Sequence, residues 1–423
     1  MQVFKVTGGT PLRGDIKIPG SKNAALAILS AVLLADGVSV LRNVPDVSDI
    51  RIKLELLERF GAKVHRDGDV LTIDTRNLHT AIVEEEIVRP IRTSFYILGS
   101  LLARLNKVEL PAPGGCKIGA RPVDFHVKGL QLLGATIELE HGIYYAEAEK
   151  LVGNEIYLDY PSAGATQHIM ATACLAHGFT VIQNAAIEPE ITTLAEFLVR
   201  MGARIEGAGT STITIEGVAS LKGCDFIVPP DRLQAGTYLL AAAITQGDVT
   251  VRGILPEHQT ALLNKLREAE IESEEGNDWV RVFSNSRPKG IRIKTMPYPG
   301  FPTDIQQPMA ALLCMAEGTS VIEETIYESR IGHVSELSRM GAHITAQGGR
   351  ITTIEGVSEL TGATVEASDL RAGAALVLAG LVAEGVTIIK NIHFIDRGYE
   401  DLEGILGQLG GKVERVSLAE AVS

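Results

Sequence analysis

One pattern recurs six times along this chain of 423 residues and dictates what it can fold into: an apolar helical stretch, a turn, then a run of β-branched residues. The turns fall at Gly37, Asn106, Gly178, Gly247, Gly318 and Gly385, spaced 69, 72, 69, 71 and 67 residues apart. A second turn, where another helix gives way to a strand, returns in the same phase at Gly61, Gly134 and Gly202, near Ala269, and at Gly341 and Gly410. Each repeat therefore reads helix, turn, strand, helix, turn, strand. Glycine supplies the left-handed residue that helix ends need, and Val, Ile and Thr build the strands. Repeats of about 70 residues are too large for a thin solenoid. They divide instead into two α/β domains of three repeats each. Pro229-Pro230 lies at the midpoint and is the expected boundary, with Lys289-Gly290 as the alternative break.

Composition narrows the function classes. Hydrophobic residues at 45% and charged ones at 22% exclude a disordered or fibrous chain. A net charge of -13 argues against nucleic acid as a partner, although a local cluster of cations can still hold a small anion. Four cysteines without CxxC spacing argue against a disulfide scaffold or a zinc site, and the ten histidines show no metal-binding spacing. No metal and no cofactor are expected. The longest apolar runs, Ala24 to Ala35 and Ala372 to Ala383, stop at twelve residues, short of the ~20 that cross a bilayer. The start lacks a basic segment followed by an apolar one. The expectation is a cytoplasmic protein with no membrane partner.

Chemistry concentrates where the first helix of each repeat begins. Ser21, Ser162, Thr303 and Ser368 read as N-caps there. Lys22, Arg92, Arg232 and Arg371 are harder to explain, because a cation in the first helical turn opposes the macrodipole. A bound phosphate or carboxylate would account for four such cations in register. Asp304, in Phe301-Pro-Thr-Asp304, reads either as a capping carboxylate or as a general base. Arg397, in the polar run His393 to Glu400, reads as a further anion ligand or a surface charge.

Cys116 differs from the other three cysteines. It lies in the glycine-rich segment Pro113-Gly-Gly-Cys116-Lys117 with Arg121 nearby, where cations lower a thiol pKa and make it reactive. Cys174, Cys224 and Cys314 read as core residues. His126, His168 and His333 read as structural histidines.

These segments resemble the enolpyruvyl transferases, in the branch that accepts UDP-N-acetylglucosamine. The resemblance rests on SKNAAL from Ser21, PGGCKIGARPVD from Pro113, NAAIEPEI from Asn184, PPDRLQAGT, FPTD, RIGHVSELSRMGA from Arg330, SDLRAGAALVLAG and HFIDRGYE. It implies two inside-out α/β domains with an active-site cleft between them. Residues 21–229 form one domain, and residues 1–20 with 230–423 form the other. It also implies transfer of the enolpyruvyl group of phosphoenolpyruvate to the 3′-hydroxyl of UDP-N-acetylglucosamine, with release of phosphate. That is the first committed step of peptidoglycan precursor synthesis.

By the same resemblance Cys116 donates a proton to C3 of phosphoenolpyruvate, and Asp304 takes the proton of the sugar hydroxyl. Lys22, Arg121 and Arg397 hold phosphoenolpyruvate, with Asn23 beside Lys22. The UDP-sugar contacts match Arg92, Arg121, Pro122, Val123, Asp124, Phe125, Ser162, Ala163, Gly164, Asp304 and Ile326. Arg330, Asp369 and Arg371 match further polar residues of the site. One position departs from the family pattern. Tyr160 stands where a lysine is common, and losing a cation near a diphosphate weakens binding by ~1–3 kcal/mol. Another uridine nucleotide as acceptor, or a catalytically idle paralogue that binds the UDP-sugar, are the alternatives.

Overall fold

The computed structural model describes residues 1–114 and 123–422. The chain forms two compact units that meet in sequence between Pro229 and Pro230, with Met1–Ile18 counted with the later residues and Pro19 onward with the earlier ones.

In the unit of residues 1–18 and 230–422, three helices form the interior: Arg232–Ile244, Thr303–Cys314 and Leu370–Gly380. Beyond their first turns they are buried on every side, as expected of helices apolar all round. Three four-stranded sheets cover them. The strand Thr319–Glu323 shows the common plan: it pairs in parallel with Arg292–Lys294 and antiparallel with Ile351–Glu355, which pairs with His343–Gln347. Alternate residues face inward, so each sheet has one dry and one wet face. Helices inside and sheets outside are what the family resemblance implied.

The N-terminus completes this unit. Gln2–Thr7 pairs antiparallel with both Val386–Lys390 and Lys412–Ser417. Arg13–Lys17 then pairs in parallel with Asp248–Arg252 of the fourth repeat. The sixth repeat thus borrows a strand from the start of the chain, and so does the fourth.

The unit of residues 19–229 repeats the plan around Lys22–Ala31, Ile97–Leu105 and Ala163–Ala173. Its middle sheet has three strands among the described residues, Lys107–Pro111, Ile143–Glu147 and Thr136–Glu140. Asp225–Ile227 of the third repeat pairs in parallel with Val38–Arg42 of the first, which links those two repeats.

The turn residues meet the left-handed expectation at Asn106, Gly178, Gly318 and Gly385, with φ of 62°, 88°, 92° and 86°. Gly37 and Gly247 do not adopt it. At the fourth repeat Gln246 takes that conformation, at φ 50°, and Gly247 serves a different need. A Cβ there would lie 2.1 Å from the Leu12 carbonyl oxygen, so glycine is required by the close approach of the N-terminal segment. At the second landmark Glu270 takes φ 60° where the other repeats use glycine.

Candidate active site

Helix starts carry the charged groups in both units. In the unit of residues 1–18 and 230–422, Asp304 is the second residue of Thr303–Cys314. Its side chain pairs with two arginines: Asp304 Oδ1 accepts from Arg330 Nη1 at 2.6 Å, and Oδ2 accepts from Arg371 Nη2 at 3.2 Å and Nε at 3.4 Å. Both arginines are almost wholly buried, whereas the Asp304 side chain keeps 26% of its surface exposed. The carboxylate therefore presents an edge outward from a positively charged base. Burial acts to lower both guanidinium pKa values, but Asp304 and Asp369 outweigh it at Arg330, as Tyr399 and Asp304 do at Arg371, and both end above the ordinary range.

The arginines are held from behind. Arg371 Nη1 donates to Tyr399 Oη at 2.9 Å, which shares a further hydrogen bond with Thr237 Oγ1 at 2.9 Å. Asp369 caps its helix by accepting from the backbone N–H of Arg371 and Ala372, at 2.9 and 3.1 Å. Gln307 Nε2 donates to Asp369 Oδ2 at 3.3 Å and lies 3.3 Å from His333 Nδ1. Ile326 is half-buried in the turn after Thr319–Glu323, and Arg397, also half-buried, closes the short helix Ile392–Arg397.

Two expected N-caps are corrected by these contacts. Thr303 donates its hydroxyl proton to Glu324 instead of capping, and Ser368 yields the cap position to Asp369. Asp231 likewise caps Arg232–Ile244, accepting from Leu233 and Gln234 N–H at 2.8 and 3.0 Å. Ser21 and Ser162 cap as expected, each accepting at 3.2 Å from the third residue onward.

In the unit of residues 19–229, Lys22 is buried and pairs with Asp49 at 3.2 Å. Asn23 follows it, half-buried. Three of the four cations that oppose helix dipoles thus have partners within their own units: Asp49 for Lys22, Asp304 for Arg371, and the Tyr298 ring 5.5 Å from Arg232. The anionic ligand inferred for them from sequence is not their only source of stabilisation.

Arg92 opens the short helix Arg92–Tyr96. Nearby, His168 Nε2 accepts from Gly99 N–H at 3.0 Å, so its proton lies on Nδ1 and bridges to His126 Nδ1 at 3.0 Å. That arrangement leaves the His126 proton on Nε2. A Cβ added to Gly164 would meet Tyr96 Oη at 2.6 Å and His126 Nε2 at 3.3 Å. The absent side chain at Gly164 is what lets the start of Ala163–Ala173 approach these groups. Ala163 is the first residue of that helix, and the Tyr160 carbonyl accepts from Ser162 N–H at 2.7 Å. Val123 precedes Asp124–Leu132, with Asp124 favourably placed in its first turn and Phe125 packed partly into the core. Cys116, Arg121 and Pro122 lie outside the described residues. Cys174 and Cys314 are core thiols whose pKa burial raises to about 12.

The histidine pair makes stability depend on acid. Burial, with Arg92 adding to it, lowers His126 to about 3. Burial also holds His168 well below its ordinary range, with His126 and Lys53 adding. Unfolded histidine titrates near 6.5, so the stability due to two neutral imidazoles is present above that pH and is lost as pH falls towards the folded values. The loss is about 1.4 kcal/mol per pH unit for each histidine. Urea unfolding of His168→Asn between pH 7 and 4 is expected to show a shallower acid decline than the parent chain. Equal slopes would show that the pair is not buried neutral.

Lys53 and Asp49 in one unit, and Tyr399 and Glu324 in the other, meet the charged groups of their own unit through the fold and are not among the residues that the sequence singles out. Lys53 is fully buried, and its Nζ donates to the Thr93 carbonyl at 2.6 Å, beside Arg92. Tyr399 lies inside the motif HFIDRGYE. Glu324 has a usable signal, since strand alternation puts it on an inward position.

Comparison with known proteins agrees with this arrangement of elements. The family model described as EPSP synthase (3-phosphoshikimate 1-carboxyvinyltransferase) matches residues 6–406. UDP-N-acetylglucosamine 1-carboxyvinyltransferase from Halothermothrix orenii is 50% identical over 98% of this chain and 100% of its own. UDP-N-acetylglucosamine 1-carboxyvinyltransferase 1 from Carboxydothermus hydrogenoformans is 49% identical over 99% of both chains. The crystal structure of the enolpyruvyl transferase NikO from Streptomyces tendae superposes with a TM-score of 0.88 at 25% identity, covering 98% of this chain and 99% of that one. EPSP synthase from Acinetobacter baumannii shares the fold, with a TM-score of 0.74 at 20% identity over 99% of this chain and 100% of the other.

Proposed function

This chain belongs to the EPSP synthase family of enolpyruvyl transferases, and we propose that it transfers the enolpyruvyl group of phosphoenolpyruvate to the 3′-hydroxyl of UDP-N-acetylglucosamine. The observation that carries the acceptor is near-half identity, over almost the whole chain, to relatives bearing that activity in their names. In the same reading the exposed edge of Asp304, held in place by two buried arginines, is open to the acceptor hydroxyl.

The chemistry is addition followed by elimination. The sugar oxygen attacks C2 of phosphoenolpyruvate, Asp304 accepts the hydroxyl proton, and Cys116 delivers a proton to C3. Elimination then breaks the C2–O bond to phosphate while C3 returns a proton. Lys22, Arg121 and Arg397, with Asn23, hold the phosphate and carboxylate. Arg92, residues 121–125, Ser162, Ala163, Gly164 and Ile326 hold the nucleotide sugar. Arg330, Asp369 and Arg371 keep the base in place. Clamping a multiply charged substrate and positioning two proton transfers account for the rate. In a cell this reaction supplies peptidoglycan precursor synthesis, in the cytoplasm. Among the described residues no helix is long and apolar enough to cross a membrane.

Phosphate release from phosphoenolpyruvate, measured with UDP-N-acetylglucosamine, UMP and shikimate 3-phosphate in turn, tests the proposal. Release is expected only with the UDP-sugar, and Cys116→Ser is expected to lower it by about 100-fold or more at neutral pH. Release only with UMP would keep the chemistry, overturn the acceptor, and direct attention to Tyr160. Tight binding of the UDP-sugar without turnover would indicate the idle paralogue.

A further inference from the structure

We propose that Glu324 is a positioning residue for this transfer: through the Thr303 hydroxyl it sets Arg330 against Asp304, and through two backbone amides it fixes the turn carrying Ile326. The inference rests on the function proposed above and extends it to a residue with no role there.

Glu324 follows the strand Thr319–Glu323 and is 1% exposed. A carboxylate so buried is costly unless its oxygens are fully hydrogen bonded. Oε1 accepts from Thr295 Oγ1 at 2.9 Å, from Ile326 N–H at 2.8 Å and from Tyr327 N–H at 3.1 Å. Oε2 accepts from Thr303 Oγ1 at 2.8 Å. The direction of both hydroxyls follows from their other partners. Thr295 Oγ1 accepts from Thr325 N–H at 2.9 Å, and Thr303 Oγ1 accepts from Arg330 Nη1 at 3.1 Å. Each hydroxyl proton therefore points at Glu324, and every one of these four partners donates to it. The surroundings are built for a carboxylate.

Thr303 is the relay. Arg330 Nη1 reaches two acceptors on adjacent residues, Thr303 Oγ1 and Asp304 Oδ1. With the Thr303 proton committed to Glu324, the oxygen stays open to the guanidinium. In Glu324→Gln the amide must face one set of donors with its own NH₂. Turned towards Thr303, it takes the hydroxyl oxygen that Arg330 uses and turns the hydroxyl proton towards the guanidinium. Turned the other way, it opposes the two backbone amides under Ile326. Either outcome misplaces a group at the site, and misplacement of about 1 Å near the chemistry costs on the order of 100-fold in rate.

Steady-state kinetics on the full chain test this, with Glu324→Gln, Thr303→Val, Thr303→Ser and the double variant Glu324→Gln/Thr303→Val. Glu324→Gln and Thr303→Val are each expected to lower kcat by about 10-fold to 100-fold. KM for phosphoenolpyruvate should stay within about twofold, since its cations are not on the relay. Thr303→Ser restores the hydroxyl and should restore kcat. Because both changes break one relay, the double variant should be no slower than the slower single one.

A folded Thr303→Val with parent kcat, or fully multiplicative losses in the double variant, would overturn the relay. Should Glu324→Gln fail to fold, the Thr303→Val and Thr303→Ser pair still decides. Should the parent chain use another acceptor, the acceptor reading fails and the same comparison is made on the acceptor that turns over. Should it use none, a crystal structure of Thr303→Val decides: Arg330 unmoved against Asp304 refutes the inference, and a displaced guanidinium supports it.

Discussion

Asp304→Asn is expected to lower kcat by between about 100-fold and 10,000-fold while the nucleotide sugar still binds, the range associated with loss of a general acid or base. The amide keeps the size of the carboxylate but cannot accept the hydroxyl proton. It also sets an NH₂ group where Arg330 or Arg371 now donates, at 2.6 and 3.2 Å. Stability should therefore fall as well, by about 1–3 kcal/mol. Phosphate-release kinetics and thermal unfolding on the same preparation separate the two effects. A variant within about threefold of the parent kcat would remove Asp304 from the role of base.

Arg371→Ala is expected to be the most damaging change to the fold of its unit. The guanidinium is 1% exposed, pairs with Asp304, donates to Tyr399 Oη and lies 5.2 Å from the Tyr399 ring. Removing one partner of such a buried pair costs about 3–5 kcal/mol, because the groups left behind are already desolvated. For a unit of this size that corresponds to a fall in Tm of about 6–20 °C. Tyr399→Phe, which removes the hydrogen bonds to Arg371 and Thr237 but keeps the ion pair with Asp304, should cost less, about 1–3 kcal/mol. Equal melting temperatures for Arg371→Ala and the parent chain would mean that the charged cluster contributes nothing to stability.

Much of this site is legible in the amino-acid sequence. Repeat phase locates the helix starts, so Lys22, Arg92, Ser162, Asp304 and Arg371 all stand out by position. The assignment of caps is less secure, because Ser, Thr and Asp compete for the same place and sequence does not say which side chain has a better partner elsewhere. Thr303 has one in Glu324 and Arg330, and Ser368 gives way to Asp369. Arg330 stands out only through the family resemblance. Its burial beside Asp304 depends on a turn 26 residues further along the chain.

The six-fold recurrence determined the α/β class, the repeat length and the place of each helix start, because those follow from local propensity and from spacing along one chain. Partnership was decided by the tertiary structure. Lys22 meets Asp49 across 27 residues and Arg371 meets Asp304 across 67. The strand at the N-terminus closes a sheet whose other members begin at Thr364. Gly247 shows the same division within one residue. Sequence marks it as a helix end, but the reason it must be glycine is a carbonyl oxygen from Leu12, brought there by the closing of the fold. A buried charge is stable only beside its partner, and periodicity cannot name that partner because it carries no information about which distant residues come into contact.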